Sequence, residues 1–204
     1  MKTIAIVSRK GGAGKTTLTL HLATAAANKN KQVVIIDLDP QASASGWGDS
    51  RESDSPVIVS AQAARLQNAL EAAEENGADF VFIDTSPHSE TAALAAIRAA
   101  DLILIPCRPA ILDLRAIGDT VDLVKLAKKT ATVVLNAVPP RGNVTQEAIE
   151  GISGYGVETA PVHLTHRAAF INSLTLGQTA IEYEPDGKAA EETRKLYRWM
   201  CKQF

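Results

Sequence analysis

Residues 8–17 read SRKGGAGKTT, and the reading of this stretch decides the fold. An apolar run, Ile4–Val7, leads into it, and a helix-compatible stretch follows from about Lys15. Strand, glycine loop and helix in that order form a phosphate cradle. Glycines let backbone N–H groups turn toward an anion with no Cβ in the way. The helix that starts near Lys15 points its positive end at the same place. Lys15 would reach the β- and γ-phosphates of a nucleotide, and the Thr16 hydroxyl would ligate Mg²⁺. The general pattern G-x-x-x-x-G-K-[ST] is not met in full, because Arg9 stands at its first glycine. The plain alternative is a glycine turn that happens to carry Lys-Thr, and the strand–loop–helix context argues against it.

Working outward, further apolar runs recur at Val33–Ile36, Val57–Val59, Phe80–Ile83, Leu102–Ile105 and Thr132–Leu135, with a weaker one near Val157–Val162. They are continuous and not alternating, which predicts strands buried on both faces. Helix-like stretches lie between them: Leu66, Leu70 and Ala73 at helical spacing with a stop at Asn76-Gly77, then Leu112–Lys129, Thr145–Ser153 and Lys188–Gln203. The alternation predicts an α/β fold, a mostly parallel twisted sheet with helices on both faces. Residues 48–56 and 139–143 read as surface loops. At 204 residues the chain is large enough to bury one real core, so 1–204 reads as a single domain. A formal net charge of −2 gives no overall reason to expect nucleic acid, so any basic surface must be local. Cys107 and Cys201 lie far apart in neither a metal nor a redox spacing, and read as thiols of a reducing cytoplasm. No apolar run approaches membrane-spanning length.

In such folds ligands sit beyond the carboxyl ends of the strands. Three chemistry-bearing segments stand there. VVIIDLDPQAS (33–43) ends its strand with Asp37 and Asp39, FVFIDTSP (80–87) ends its own with Asp84, and VVLNAVPPR (133–141) carries Asn136. A carboxylate at a strand end can hold water or metal-bound water. Mg²⁺ keeps several waters and takes few protein ligands, so one threonine and one or two carboxylates suffice.

KGGAGKTT resembles the deviant Walker A motif of the ParA/MinD family of ATPases. The resemblance implies a P-loop NTPase that binds ATP and Mg²⁺, with Gly11, Gly12, Ala13, Gly14, Lys15, Thr16 and Thr17 around the phosphates. In that family the early lysine, here Lys10, reaches across a dimer interface to the partner's nucleotide. A cation delivered in trans acts like an arginine finger. DLDPQAS resembles the family's switch I, which implies that Asp39 orients the attacking water and that Asp37 supports the site through hydrogen bonds to the loop. FVFIDTSP resembles a Walker B strand, so Asp84 would approach Mg²⁺ through a water, with Asp39 a second candidate through water. The stretch after Pro87 would be switch II. Asn136 stands where the family uses an asparagine for the adenine edge.

HRAAFINSLTLGQTAIEYEPDGKAAEETRKLYRWM resembles the family's closing segment at Arg167, Phe170, Gly177, Tyr183, Pro185, Ala190 and Glu191. The resemblance starts at the first strand, and implies the small form without an amino-terminal DNA-binding domain. The last helix is locally basic, with Lys188, Arg194, Lys195, Arg198 and Lys202 against Glu191 and Glu192. Relatives bind DNA without sequence preference near this end when dimeric with ATP. Arg194 is the matching position, with Arg167, Lys188, Lys195 and Arg198 looser candidates. A solvated helix with Leu196, Tyr197 and Met200 on the core side accounts for the same letters.

The first functional expectation is therefore a cytoplasmic, nucleoid-associated ATPase that dimerises around ATP and segregates plasmid or chromosomal DNA with a centromere-binding, ParB- or ParG-like partner. Similar chains position carboxysomes or chemotaxis clusters instead. A MinD-like membrane switch is a further reading, because KLYRWMCKQF mixes aromatic and basic residues, but that stretch merges with the closing helix, so a membrane partner is not expected. A dethiobiotin-synthetase-like ligase or an iron–sulfur reductase fits less well, for want of a small-substrate motif or cluster cysteines.

Overall fold

The computed structural model describes residues 1–204. Seven strands form one sheet: β1 (Lys2–Ile6), β2 (Val33–Asp37), β3 (Val57–Ser60), β4 (Phe80–Asp84), β5 (Leu102–Cys107), β6 (Thr132–Leu135) and β7 (Glu158–Thr159). Their order is β3-β2-β4-β1-β5-β6-β7, and every pair is parallel. The helices are α1 (Lys15–Ala27), α2 (Ser43–Asp49), α3 (Leu66–Glu75), α4 (Glu90–Ala99), α5 (Ile111–Leu126), α6 (Val144–Ser153), α7 (Ala168–Thr175), α8 (Ala180–Tyr183) and α9 (Lys188–Met200). The α/β expectation holds, and so do the positions of its strands. No helix is long and apolar enough to cross a membrane.

Successive side chains of a strand point to opposite faces. Ala5 and Val7 therefore join one cluster of 27 buried residues with α3 to α6, while Ile4 and Ile6 join another of 26 with α1 and α9. The two clusters are nearly equal in size, so both faces of the sheet are sealed. That is why the central strands are continuous apolar runs.

The outer strands depart from the expectation. The apolar run of β3 predicts burial on both faces, yet Val57 is 53% and Val59 42% exposed. It is the edge strand, paired only with β2, and an apolar run does not tell an edge from a centre. The weak run near 157–162 yields only the two residues of β7. The polar stretch 48–56 begins inside α2, which buries Ala44 and Trp47. The terminal helix gives way to a 3₁₀ turn at Cys201–Gln203. Leu196, Tyr197 and Met200 are buried, as the solvated-helix reading requires.

A buried polar brace joins α1, α2 and α8. His21 in α1 is fully buried and hydrogen-bonds the Thr17 carbonyl through Nδ1 at 2.8 Å, while Nε2 accepts the Ala180 N–H at 3.1 Å. Those partners fix the tautomer: Nδ1 carries the proton. Thr179 and Glu182 form a reciprocal cap on α8. Glu182 also takes both terminal nitrogens of Arg51, at 2.8 and 3.1 Å, and Arg51 lies over the Trp47 ring.

Candidate functional site

β1 lies at the centre of the sheet between β4 and β5, so the loop after it opens in the middle of the carboxyl edge. Gly12 and Gly14 have φ of +75° and +99°, which L side chains rarely adopt. Gly14 also has no room for a side chain: a Cβ there would overlap the Asn136 amide. Gly14 caps α1, whose first N–H groups face the loop. This is the geometry of an anion site.

Lys15 is buried, and its Nζ donates to the Lys10 carbonyl at 3.3 Å. Burial pulls its pKa down, while the carboxylates of Asp84 and Asp39 act the other way. Its ammonium therefore sits where a phosphate would restore the solvation it has lost. The early lysine thus lends its backbone to the second one. The Lys10 side chain is half-exposed at the mouth of the loop.

β2 and β4 are paired so that Asp37 lies opposite Asp84. Asp84 is fully buried and accepts from the Thr16 hydroxyl at 2.6 Å and the Thr19 hydroxyl at 3.3 Å. Burial pushes its pKa up to about 7, and neighbouring Asp37 pushes the same way. Thr16 and Asp84 bring hard oxygens together beside the phosphate loop, and that donor set fits Mg²⁺ with water completing its shell. Asp37 accepts the Asp39 N–H, the Ser45 N–H and the Ser45 hydroxyl, at 3.0, 3.0 and 3.2 Å. It ties the segment after β2 to α2. Asp39 is half-exposed beyond the strand end, and its carboxylate accepts only the Gln41 N–H. Of the two aspartates it is the one free to meet water. A groove of about 850 Å³ runs from Asp39 past Val59 to Arg65 and contains no residue of the glycine loop.

A second cavity, about 280 Å³, touches the loop at Gly14 and Thr17 and is walled by Arg108, Asn136, Thr165 and Arg167. A base whose phosphates lie on the loop would occupy it. Asn136 lines this cavity, but its amide is engaged: Nδ2 donates to the Ala13 carbonyl at 3.0 Å and Oδ1 accepts the Ala137 N–H at 2.9 Å. It braces the glycine loop, a task that the expectation of an adenine contact does not include.

The basic candidates separate. Arg167 is half-buried, lines the second cavity, and is paired with Glu192 at 2.7 Å. Lys195 is exposed but paired with Glu191 at 2.8 Å. Lys188 is exposed at the start of α9. Arg194 and Arg198 converge with Lys29, from just beyond α1, on a small cleft, and none of the three is in an ion pair. Sequence reasoning does not find Lys29, Thr19, Arg108 or Glu192. A threonine three residues after Thr16 is a readable hint of the second hydroxyl, whereas the others come together only in three dimensions.

The CobQ/CobB/MinD/ParA nucleotide binding domain family matches residues 4–175. The maintenance of carboxysome distribution protein A of Halothiobacillus neapolitanus is 32% identical over 200 residues, covering 93% of this chain and 91% of that protein. The protein of the same name from Gloeobacter kilaueensis is 32% identical over 207 residues, covering 100% and 94%. The structure of the septum site-determining protein MinD from Pyrococcus horikoshii, complexed with Mg-ADP, superposes with a TM-score of 0.79 at 20% identity, covering 98% of this chain and 95% of that one. At that identity the likeness is one of fold.

Proposed function

Since the chain belongs to the CobQ/CobB/MinD/ParA nucleotide-binding family, we propose that it is an ATPase that positions a protein cargo of the carboxysome kind. What supports the cargo is the likeness to two carboxysome distribution proteins along nearly the whole chain. This reading replaces the first expectation, segregation of plasmid or chromosomal DNA, and with it the centromere-binding partner. A cargo-bound adaptor protein takes that place. The observation that carries the chemistry is the Thr16–Asp84 contact beside a buried Lys15 at the glycine loop.

The loop N–H groups and Lys15 hold the β- and γ-phosphates of ATP. Thr16 would hold Mg²⁺ directly and Asp84 would hold it through a water, and the ion would supply charge neutralisation at the transferring phosphoryl group. Asp39 orients the attacking water from outside the strand end. Lys10 reaches the nucleotide of a second ATP-loaded copy, so that the site is complete only in the dimer. The dimer places two copies of the Lys29, Arg194 and Arg198 cleft on nucleoid DNA, and two weak patches bind a polyanion far more tightly than one. Hydrolysis, stimulated by the adaptor, parts the dimer and releases the DNA. A membrane switch through α9 is disfavoured, because Leu196, Tyr197 and Met200 would have to leave the core.

The test is the ATP-loaded Asp39→Ala variant. It should run as a dimer by light scattering, pellet with random-sequence DNA and hydrolyse ATP slowly or not at all. In cells, a fluorescent fusion should track protein particles and not plasmids. A monomer with ATP bound would overturn the dimer mechanism, and tracking of plasmids would overturn the cargo.

A further inference from the structure

One carboxylate with no place in the chemistry above holds an unusual number of partners. Glu192 lies in α9, a helix that contributes no residue to the base cavity. Its Oε2 accepts the Thr165 N–H at 3.0 Å. Its Oε1 accepts the Thr165 hydroxyl at 2.9 Å, Arg167 Nε at 3.1 Å and Arg167 Nη2 at 2.7 Å. Both donors, Thr165 and Arg167, are walls of the cavity. The other side of the same segment is fixed by the backbone. The Val138 N–H donates to Leu164, the His166 N–H donates to Val138, and Val138 and Thr165 form a parallel bridge. Residues 164–167 are thus clamped between the strand end that carries Asn136 and a carboxylate reaching in from α9.

The charge matters as much as the geometry. An unpaired guanidinium in the wall of this cavity would swing toward a triphosphate on the loop. Two charge-assisted bonds that Arg167 donates to one oxygen offset its charge and fix the plane of its guanidinium, which is the form that stacks on a planar ring. We propose that Glu192 is a positioning residue for nucleobase recognition: it holds Thr165 and Arg167 as the wall of the base cavity without touching the nucleotide. This rests on the nucleotide reading above, and it adds that binding of the base, but not of the phosphates, depends on α9. Because α9 also carries Arg194 and Arg198, base binding and polyanion binding share one helix, and any coupling between them is reciprocal.

The experiment compares two ligands by titration calorimetry: Mg-ATP, which fills loop and cavity, and magnesium tripolyphosphate, which fills the loop alone. Glu192→Gln keeps the shape and removes the charge. It should weaken ATP by about tenfold, the usual worth of a charge-assisted contact, and leave tripolyphosphate bound no more weakly, since an unpaired Arg167 can then turn toward the phosphates. Arg167→Gln should do the same, and the double variant should lose no more than either single one. If the Glu192 variant does not fold, Arg167→Gln alone carries the comparison. Equal losses for both ligands, or no loss for ATP, would overturn the positioning role. A wild-type chain that binds neither ligand would overturn the nucleotide reading itself.

Discussion

The Thr16 hydroxyl donates to the Asp84 carboxylate at 2.6 Å, joining the first turn of α1 to the end of β4 across 68 residues of sequence. The two groups that Mg²⁺ would need are thus set against each other before any ion is considered. The distance between them is governed by the pairing of β1 with β4, where Ile6 lies opposite Asp84, and by the glycine turn that starts α1.

Replacing either partner should uncouple magnesium from nucleotide. Asp84→Asn and Thr16→Ala should bind ATP equally in magnesium and in EDTA, whereas the wild type should bind more tightly with magnesium. Titration with a fluorescent ATP analogue in the two buffers reads the difference. A magnesium effect that survives in both variants would place the ion elsewhere.

The two loop lysines should fail differently. Lys15→Ala removes the buried ammonium at the phosphates and should abolish ATP binding. Lys10→Ala leaves intact the backbone carbonyl that Lys15 uses, so nucleotide should still bind while adaptor-stimulated phosphate release is lost. Normal stimulation in Lys10→Ala would refute its action in trans.

Acid should attack the brace at His21. Full burial lowers its pKa from 6.5 to about 4. The folded value is depressed, so a proton binds the unfolded chain better. The stability His21 contributes is complete above pH 6.5 and is lost as pH falls from there toward 4. The full loss is about 3 kcal/mol for one such proton. Urea midpoints followed from neutral pH into the acid range should fall less steeply in His21→Gln than in the wild type; parallel curves would contradict the buried, neutral imidazole.

Salt should report the DNA surface. Arg194→Ala and Arg198→Ala should each weaken DNA binding by the ATP-loaded dimer. Each should also flatten its salt dependence by about 0.9 in log–log slope for every phosphate that the variant no longer neutralises. ATP affinity should not change. Lys195→Ala, already paired with Glu191, should have a smaller effect than either. An unshifted slope in both arginine variants would remove this cleft from the interface.

Much of this is legible in the letters. The central strands announce themselves because both faces are covered, and Gly12, Gly14, Lys15 and Thr16 need only local context to be read as a phosphate loop. The remainder depends on distance in the fold. β3 (VIVS) is a continuous apolar run as β4 (FVFID) is, and only the strand order shows that one is an edge. α8 is four residues long and exists because Thr179 and Glu182 cap each other, a T-x-x-E signal too short to stand alone. Arg167 reads as an unpaired cation until Glu192, 25 residues away, is seen to hold it. A count of charges along a helix carries no information about which of them are already paired.

The bare flank of β3 has a practical consequence for anyone concentrating this protein. The opposite flank, β7, is only two residues long, so sideways association has a single usable surface. One strand meeting its own copy closes a two-fold pair and leaves nothing to extend. Such pairs would form by mass action alone and would ignore nucleotide, so a dimer seen in ATP-free buffer should be traced to this flank before it is ascribed to the loop.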